Sequence, residues 1–203
     1  MTKRCSLVLV CLSFVLALAA PAAQAGPLVQ SAGDCAAGTL EHPFVRWLDP
    51  LGYVLTPGGS FEDGASGWSV GAGKVVSGNE PFYVHNSGDS KSLSIPSGSS
   101  VTSPTICVGL DKPTIRFFAK RPSFSLLPLL TVEGVFTTKA GTTASLPMVG
   151  LPLAGNSWSL QLPFITTGAL LELGDTTMMR FRLRAVSGDW QVDDVNVDPW
   201  GRY

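Results

Sequence analysis

Few residue types in this chain are equipped for catalysis. It has two histidines, His42 and His85, and four cysteines in 203 residues. Neither histidine stands in a metal-binding spacing such as H-E-x-x-H, and there is no G-x-S-x-G elbow or phosphate-cradling glycine loop leading into a helix. Glu80 and Glu133 are the acids to weigh for glycoside hydrolysis, which needs two carboxyl groups facing one cleft. Arg180, Arg182 and Arg184 form a stripe that suits an anion or uronate, and equally the wet face of an antiparallel sheet. Glu62 follows a glycine-rich turn, and Asp193 and Asp194 stand side by side late in the chain. Read plainly, Glu62 caps a turn and the two aspartates are solvated at a strand end. This inventory argues against an enzyme and leaves a binding module and a structural domain as the classes to separate.

The chain opens with Lys3 and Arg4, an apolar run from Leu7 to Ala20, Pro21, and then Ala23-Gln24-Ala25. That is the pattern of a secretory signal peptide, residues 1–25, cut before Gly26. The apolar run is about 14 residues, short of the roughly 20 that span a bilayer, which disfavours an uncleaved anchor. A lipoprotein cut at Cys11 is disfavoured by the bulky Val10 before it. The mature chain of about 178 residues is therefore expected to be secreted, extracellular and a single domain. Losing Lys3 and Arg4 from 14 basic residues leaves 12 against 15 acidic ones, a net charge of about −3. Such a balance gives no overall electrostatic footprint for nucleic acid or an anionic membrane.

Cys35 and Cys107 remain after cleavage, and two cysteines in an exported chain are most simply a disulfide. Closing about 72 residues would be worth roughly 4 kcal/mol in the chain-entropy treatment. It would tie the N-terminal segment to the middle of the domain. Two thiols alone make an incomplete metal site.

The remaining sequence reads as short strands between Gly- and Pro-rich turns. Residues 26–50 form an extended lead-in, in which Phe44, Trp47 and Leu48 predict one helical turn between Pro43 and Pro50. Strands are expected at 53–56, 68–70, 74–76, 82–85, 92–95, 101–110, 114–120, 129–137, 144–153, 158–162, 177–186 and 191–197. Residues 167–173 are a second helical candidate. In 177–186, Met179, Phe181, Leu183 and Ala185 alternate with the three arginines. In 114–120, Ile115, Phe117 and Ala119 alternate with Arg116, Phe118 and Lys120. Strands at this spacing with little helix predict an all-β, antiparallel two-sheet sandwich.

The turn Gly58-Gly59-Ser60-Phe61-Glu62-Asp63-Gly64, then Gly67-Trp68, and finally Trp190-Gln191-Val192-Asp193-Asp194-Val195 carry a resemblance. Together with Ser87-Gly88-Asp89-Ser90-Lys91-Ser92-Leu93 and Trp158, they resemble secreted jelly-roll β-sandwiches of the galactose-binding-like and carbohydrate-binding-module type. The resemblance covers residues 51–199, leaving 200–203 as a tail. Gly58 stands where the family pattern has Asn, which removes one turn hydrogen bond.

The resemblance implies a non-catalytic module that binds a carbohydrate or another cell-wall or extracellular component. The alternative is a structural or protein-interaction sandwich without a sugar site. It further implies a structural Ca²⁺ joining the Phe-Glu loop to the last strand. Glu62 and Asp193 match its carboxylate positions, and Asp194 or Asp89 could assist. Calcium's demand for six to eight oxygens, many of them backbone carbonyls, fits a glycine-rich turn. For a sugar, aromatic faces and hydroxyl-reading polar groups are required. The candidates are Phe118, Tyr83, Arg116, Arg182, Asn79 and Glu80, with Trp47, Trp190 and Trp200 as further rings and Arg180 and Arg184 as further cations. Trp68 and Trp158 are expected in the core.

Overall fold

The alternation at 177–186 is realised as the longest strand of a computed structural model, which describes residues 29, 30, 32, 38–109, 114–150, 152, 153, 155–166 and 176–199. The signal-peptide segment, Cys35, the helical candidate at 167–173, Trp200 and the tail lie outside the described residues. In chain order the strands are β1 (Val54–Leu55), β2 (Lys74–Ser77), β3 (Lys91–Ile95), β4 (Ser100–Thr102), β5 (Ile106–Gly109) and β6 (Thr114–Lys120). There follow β7 (Leu129–Thr137), β8 (Thr143–Val149), β9 (Ser159–Leu160), β10 (Phe164–Thr166), β11 (Thr176–Ser187) and β12 (Trp190–Asp198). Among the described residues the only helical element is a 3₁₀ turn at Val45–Trp47, where the lead-in was expected to coil once. No helix there is long and apolar enough to cross a membrane.

All strand pairs are antiparallel. One sheet runs β2-β3-β12-β6-β10, with β1 on β12 and β9 on β6; the other runs β8-β7-β11, with β4 and β5 along β11. β8 joins the two layers: residues 143–147 pair with β7, and Met148 and Val149 with β10. Leu93, Ile95, Ile115, Phe117, Ala119, Val192 and Val197 from the first sheet meet Val101, Leu130, Val132, Met179, Phe181, Leu183 and Ala185 from the second in one core. This is the expected two-sheet sandwich, with apolar residues at every second position turned inward.

The sheets differ on their outer sides. Along β11, Arg180 and Arg184 stand exposed as period two requires. Along β6, the outward residues Arg116 and Phe118 are buried as well. A second apolar cluster of Phe44, Tyr53, Phe118 and Leu160 lies there, flanked by Trp47, Leu51, Phe82, Val84 and Trp158. The lead-in is thus a strap across the outer face of the first sheet. Residues 82–85 depart from the expected strand: the backbone there bends, with Tyr83 at φ 52.

Candidate functional site

The strap explains why several expected ligand readers are unavailable. Phe118 is fully buried, with ring centroids 5.3 Å from Trp47, 5.5 Å from Phe82 and 6.1 Å from Phe44. Arg116 is bound on three sides. Its Nε donates to the Gln161 carbonyl at 2.8 Å, its Nη1 pairs with Asp49, and its guanidinium lies 5.3 Å from the Phe44 ring centre. Tyr53 donates its hydroxyl to Asp49 at 2.8 Å, and burial followed by that bond raises its pKa. Phe118 and Arg116 are therefore corrected from surface readers to parts of the strap's seat. Glu80 is corrected likewise. Its carboxylate is fully buried and accepts the Phe82 and Val84 amides, the latter at 2.9 Å, and this coils residues 80–84 around it instead of extending them.

Tyr83 is half exposed, and Asn79 bonds to the Glu80 carbonyl at 2.8 Å. Arg182 sits on the opposite sheet, paired with Glu133 at 3.1 Å, so the structure does not bring it to Tyr83 or Asn79. Glu80, whose amide donates to Asp193 of β12, and Glu133 of β7 likewise belong to different layers. Trp190 and Trp68 are core residues, Trp68 donating to the Pro57 carbonyl at 2.9 Å.

The rings with surface access are others. Trp47 and Phe82 meet edge to face at 5.0 Å, and the Arg46 guanidinium is 5.1 Å from both ring centres. Trp158 was expected in the core but is only half buried, with Lys120 Nζ 4.7 Å above it. Phe82, Arg46 and Lys120 were not singled out from sequence. The signal was an aromatic, Phe118, on the polar side of β6, where a wet face would not place one.

The predicted junction of the two chain ends is present. Val54 and Leu55 pair with Val197 and Asn196. The Thr56 amide donates to the Val195 carbonyl at 2.9 Å, and the Val195 amide to the Gly59 carbonyl at 3.0 Å. Gly58 takes φ +66, and a Cβ on Gly59 would fall 2.3 Å from Thr56 Oγ1. Both glycines are therefore required where they stand. Glu62 lies near enough to Asp193 for its charge to act on it, and it is already engaged. Its carboxylate accepts the Ser90 and Lys91 amides at 2.9 and 2.7 Å, clasping two of the motifs together, which is the turn-capping role.

At the other end of the junction, β12 has a register shift between Asp193 and Asn196, with Asp194 at φ 47. This bulge buries both carboxylates. Asp193 accepts the Glu80 and Asp194 amides, each at 3.0 Å. Both oxygens of Asp194 are buried without a hydrogen bond, as are Asn79 Oδ1 and Asn196 Oδ1. Burial, opposed by the amide bonds and reinforced by Glu80 and Glu62, pushes the Asp193 carboxyl up to about 8. Burial together with the charges of Asp193, Glu80 and Asp89 pushes Asp194 to about 9. Burial and Glu62 also raise Asp89. The neighbourhood is rich in acceptors, and its basic groups lie at the edge: Lys91, whose ammonium donates to the Glu62 carbonyl, and His85, which stands against Asn196 and pairs with Glu41. Orphaned carboxylate and amide oxygens are a donor set suited to a hard cation. Among the described residues no three His, Cys, Asp or Glu side chains converge as a ready ligand group. A cation would therefore draw on amide and carbonyl oxygens too.

Comparisons with known proteins place the fold. No protein-family model matches the chain, and no curated protein does. Among solved structures, the Clostridium thermocellum Xyn10B CBM22-1–GH10 modules, complexed with xylohexaose, match at TM-score 0.51 and 12% identity, over 71% of this chain. This chain spans only 28% of that one. The CBM22-1 xylan-binding domain of Paenibacillus barcinonensis Xyn10C matches at 0.47 and 14% identity, over 68% of this chain and 89% of its own. TmCBM61 in complex with β-1,4-galactotriose matches at 0.39 and 17% identity, over 69% and 94%. The fold is a jelly-roll sandwich of the kind found in carbohydrate-binding modules.

Proposed function

We propose that the mature chain is an exported, non-catalytic module that binds an extracellular or cell-surface carbohydrate. The observation that carries this reading is the set of partly buried rings on the outer face of the first sheet: Trp47 against Phe82 with Arg46 over both, and Trp158 with Lys120 over it, all packed on the Phe118 cluster. Ring faces pack against sugar C–H groups while neighbouring cations and amides take hydroxyl or carboxylate oxygens. Similarity of fold alone would not support it. The test is a glycan array and polysaccharide pull-down with calcium present. Binding that Trp47→Ala and Trp158→Ala each weaken is expected, and silence across neutral and acidic glycans would overturn it. A structural or interaction sandwich is the second reading, favoured by the strap that seals Phe118 and by Arg46 lying over both rings.

Two structural elements belong to the proposal. A Ca²⁺ at the chain-end junction would be held by Asp194 and Asp193, with the orphaned Asn79 and Asn196 oxygens as further donors, and would supply positive charge directly at the two aspartates. Glu62 contributes charge at its edge and stays engaged with the Ser90 and Lys91 amides. The second element is a Cys35–Cys107 bridge. Cys107 is buried in β5, while Cys35 lies outside the described residues. Thiol titration of protein recovered through the export route should find no free cysteine in the mature chain.

A further inference from the structure

The outer face of the second sheet carries a row of cations that the ring site does not use. Arg180, Arg182 and Arg184 alternate along β11 with Met179, Phe181 and Leu183 of the core, so all three stand on the solvent side. At about 3.4 Å of rise per residue, neighbouring arginines are about 7 Å apart and the row is about 14 Å long. The register shows how little of this charge the fold answers. Glu133 stands opposite Arg182 and pairs with it at 3.1 Å. Arg180 instead faces Val135 on β7, and Arg184 faces Thr131 on one side and Ser100 on the other. Among the described residues, exposed Arg180 and Arg184 have no ion pair, hydrogen bond or ring contact.

A surface kept only for solubility intersperses both signs. This chain has 15 acidic residues against 14 basic ones, yet Glu133 is the one acid among the described strand residues of this face. Its charge is already met by Arg182. Two guanidiniums are thus left facing solvent beside one that shows the preferred partner, a carboxylate. Guanidinium forks match carboxylates with two parallel hydrogen bonds.

The other outward positions narrow the kind of anion. Ser100 and Thr102 on β4, Thr131 on β7 and Ser145 on β8 supply hydroxyls on strands flanking the row. Among the described strand residues no aromatic shares the face, so it lacks the stacking platform of a single-stranded nucleic acid site. Met178 and Val186, 46 and 42% exposed, stand at the two ends of the row, about 27 Å apart, which gives no continuous apolar surface for a bilayer. Met178 also lines an open recess of about 590 Å³ with Thr39, Leu55 and Thr105, leaving room for a chain to continue past Arg180. Glu41, in the wall of that recess, is paired with His85. We propose that this face binds a linear polysaccharide bearing uronate carboxylates, which meet Arg180 and Arg184 as Glu133 meets Arg182. The site lies on the opposite sheet from the rings and shares no residue with them.

The test uses the mature protein and polygalacturonate, with EDTA present so that calcium cannot bridge the two. Binding by titration calorimetry is expected, weakening as salt rises. The fully methyl-esterified polymer, the same backbone without its charge, should bind at least about tenfold more weakly, and so should Arg180→Gln/Arg184→Gln on the charged polymer. The melting temperature of that variant should hold, because both side chains are exposed and unpaired. Trp47→Ala/Trp158→Ala should leave polygalacturonate binding intact, and the arginine variant should leave neutral-glycan binding intact, so either site can fail alone. Absence of binding, undiminished binding by the arginine variant, or equal binding of the methyl ester overturns the proposal. So does an equal loss in Lys74→Gln/Lys139→Gln, two exposed lysines off the row. Equal affinity for single-stranded DNA or phosphatidylglycerol vesicles also overturns it, because the face would then be an unselective polyanion surface.

Discussion

Two buried acidic sites lie on the outer side of the first sheet, and they are neutralised in different ways. Asp49 meets the Arg116 guanidinium and the Tyr53 hydroxyl, both from the chain itself. Asp194 meets Asp193, Glu80 and Asp89, with no N–H donating to either oxygen and the Glu80 carboxyl beside it as a group with which it can share a proton. The first arrangement is complete on folding and fixes the strap. The second can be relieved only by protons or by a cation from outside. A charge placed opposite an acid makes a structural joint, and a missing one leaves a place that responds to conditions.

The largest effect expected from this contrast is at the complete site. Both side chains of the pair are about nine-tenths buried. Arg116→Met strands the Asp49 carboxylate, and breaking a buried pair from one side costs about 3–5 kcal/mol. Chemical denaturation should show that loss. The double variant Arg116→Met/Asp49→Asn should recover most of it, because a neutral amide carries no stranded charge and keeps an acceptor for the buried Tyr53 hydroxyl. A double variant no more stable than the single one would mean that the ion pair itself, rather than the stranded charge, holds the strap.

At the incomplete site calcium should raise the melting temperature, by about 3 kcal/mol equivalent at a hundredfold excess over Kd, and EDTA should remove the gain. The pH dependence carries the sign. Asp193 and Asp194 are raised in the folded state, so they retain protons that the unfolded chain has released. Metal-free protein should therefore lose stability as pH climbs from the ordinary carboxylate range through about 8 and 9. Saturating calcium should flatten that decline, making its benefit larger at pH 8 than at pH 5. Asp194→Asn, which removes the charge but keeps the shape, should stabilise metal-free protein at high pH and abolish the calcium response. Equal melting temperatures in calcium and EDTA at pH 8 would sink the clasp.

The contrast also marks what could be read from residue order. The sandwich was legible because β11 is buried on one face only, so Met179, Phe181, Leu183 and Ala185 alternate cleanly with arginines. The junction of Gly58-Gly59 with Val195 was legible because turn glycines and a terminal strand carry their own local chemistry. The strap's effect was not. Arg116 and Phe118 have the alternation of a wet face, and only a distant segment, 44–53, turns that face into an interior. Glu80 shows the same limit from the other side. An acid after a turn looks solvated until backbone amides two and four residues ahead curl onto it. Local pattern gave the layers, while the polar interior depended on a distant segment at Arg116 and on a local coil of the backbone at Glu80.

The smallest predicted effect concerns Glu62, the acid that looked most like a metal ligand. Its carboxylate holds the Ser90 and Lys91 amides, and Ser90 is exposed. Glu62→Gln keeps an acceptor at this position but loses charge assistance, so the cost should be about 1 kcal/mol. In metal-free protein part of that cost should be returned, because Glu62 is one of the charges raising Asp193 and Asp89. The net change without calcium should thus be smaller than the change with it. Retained calcium affinity in Glu62→Gln, measured by titration calorimetry, would confine Glu62 to the turn. A loss as severe as that of Asp194→Asn would instead make Glu62 a ligand that swings from the Ser90 amide when the cation arrives, and the two acidic ends of the junction would then act as one site.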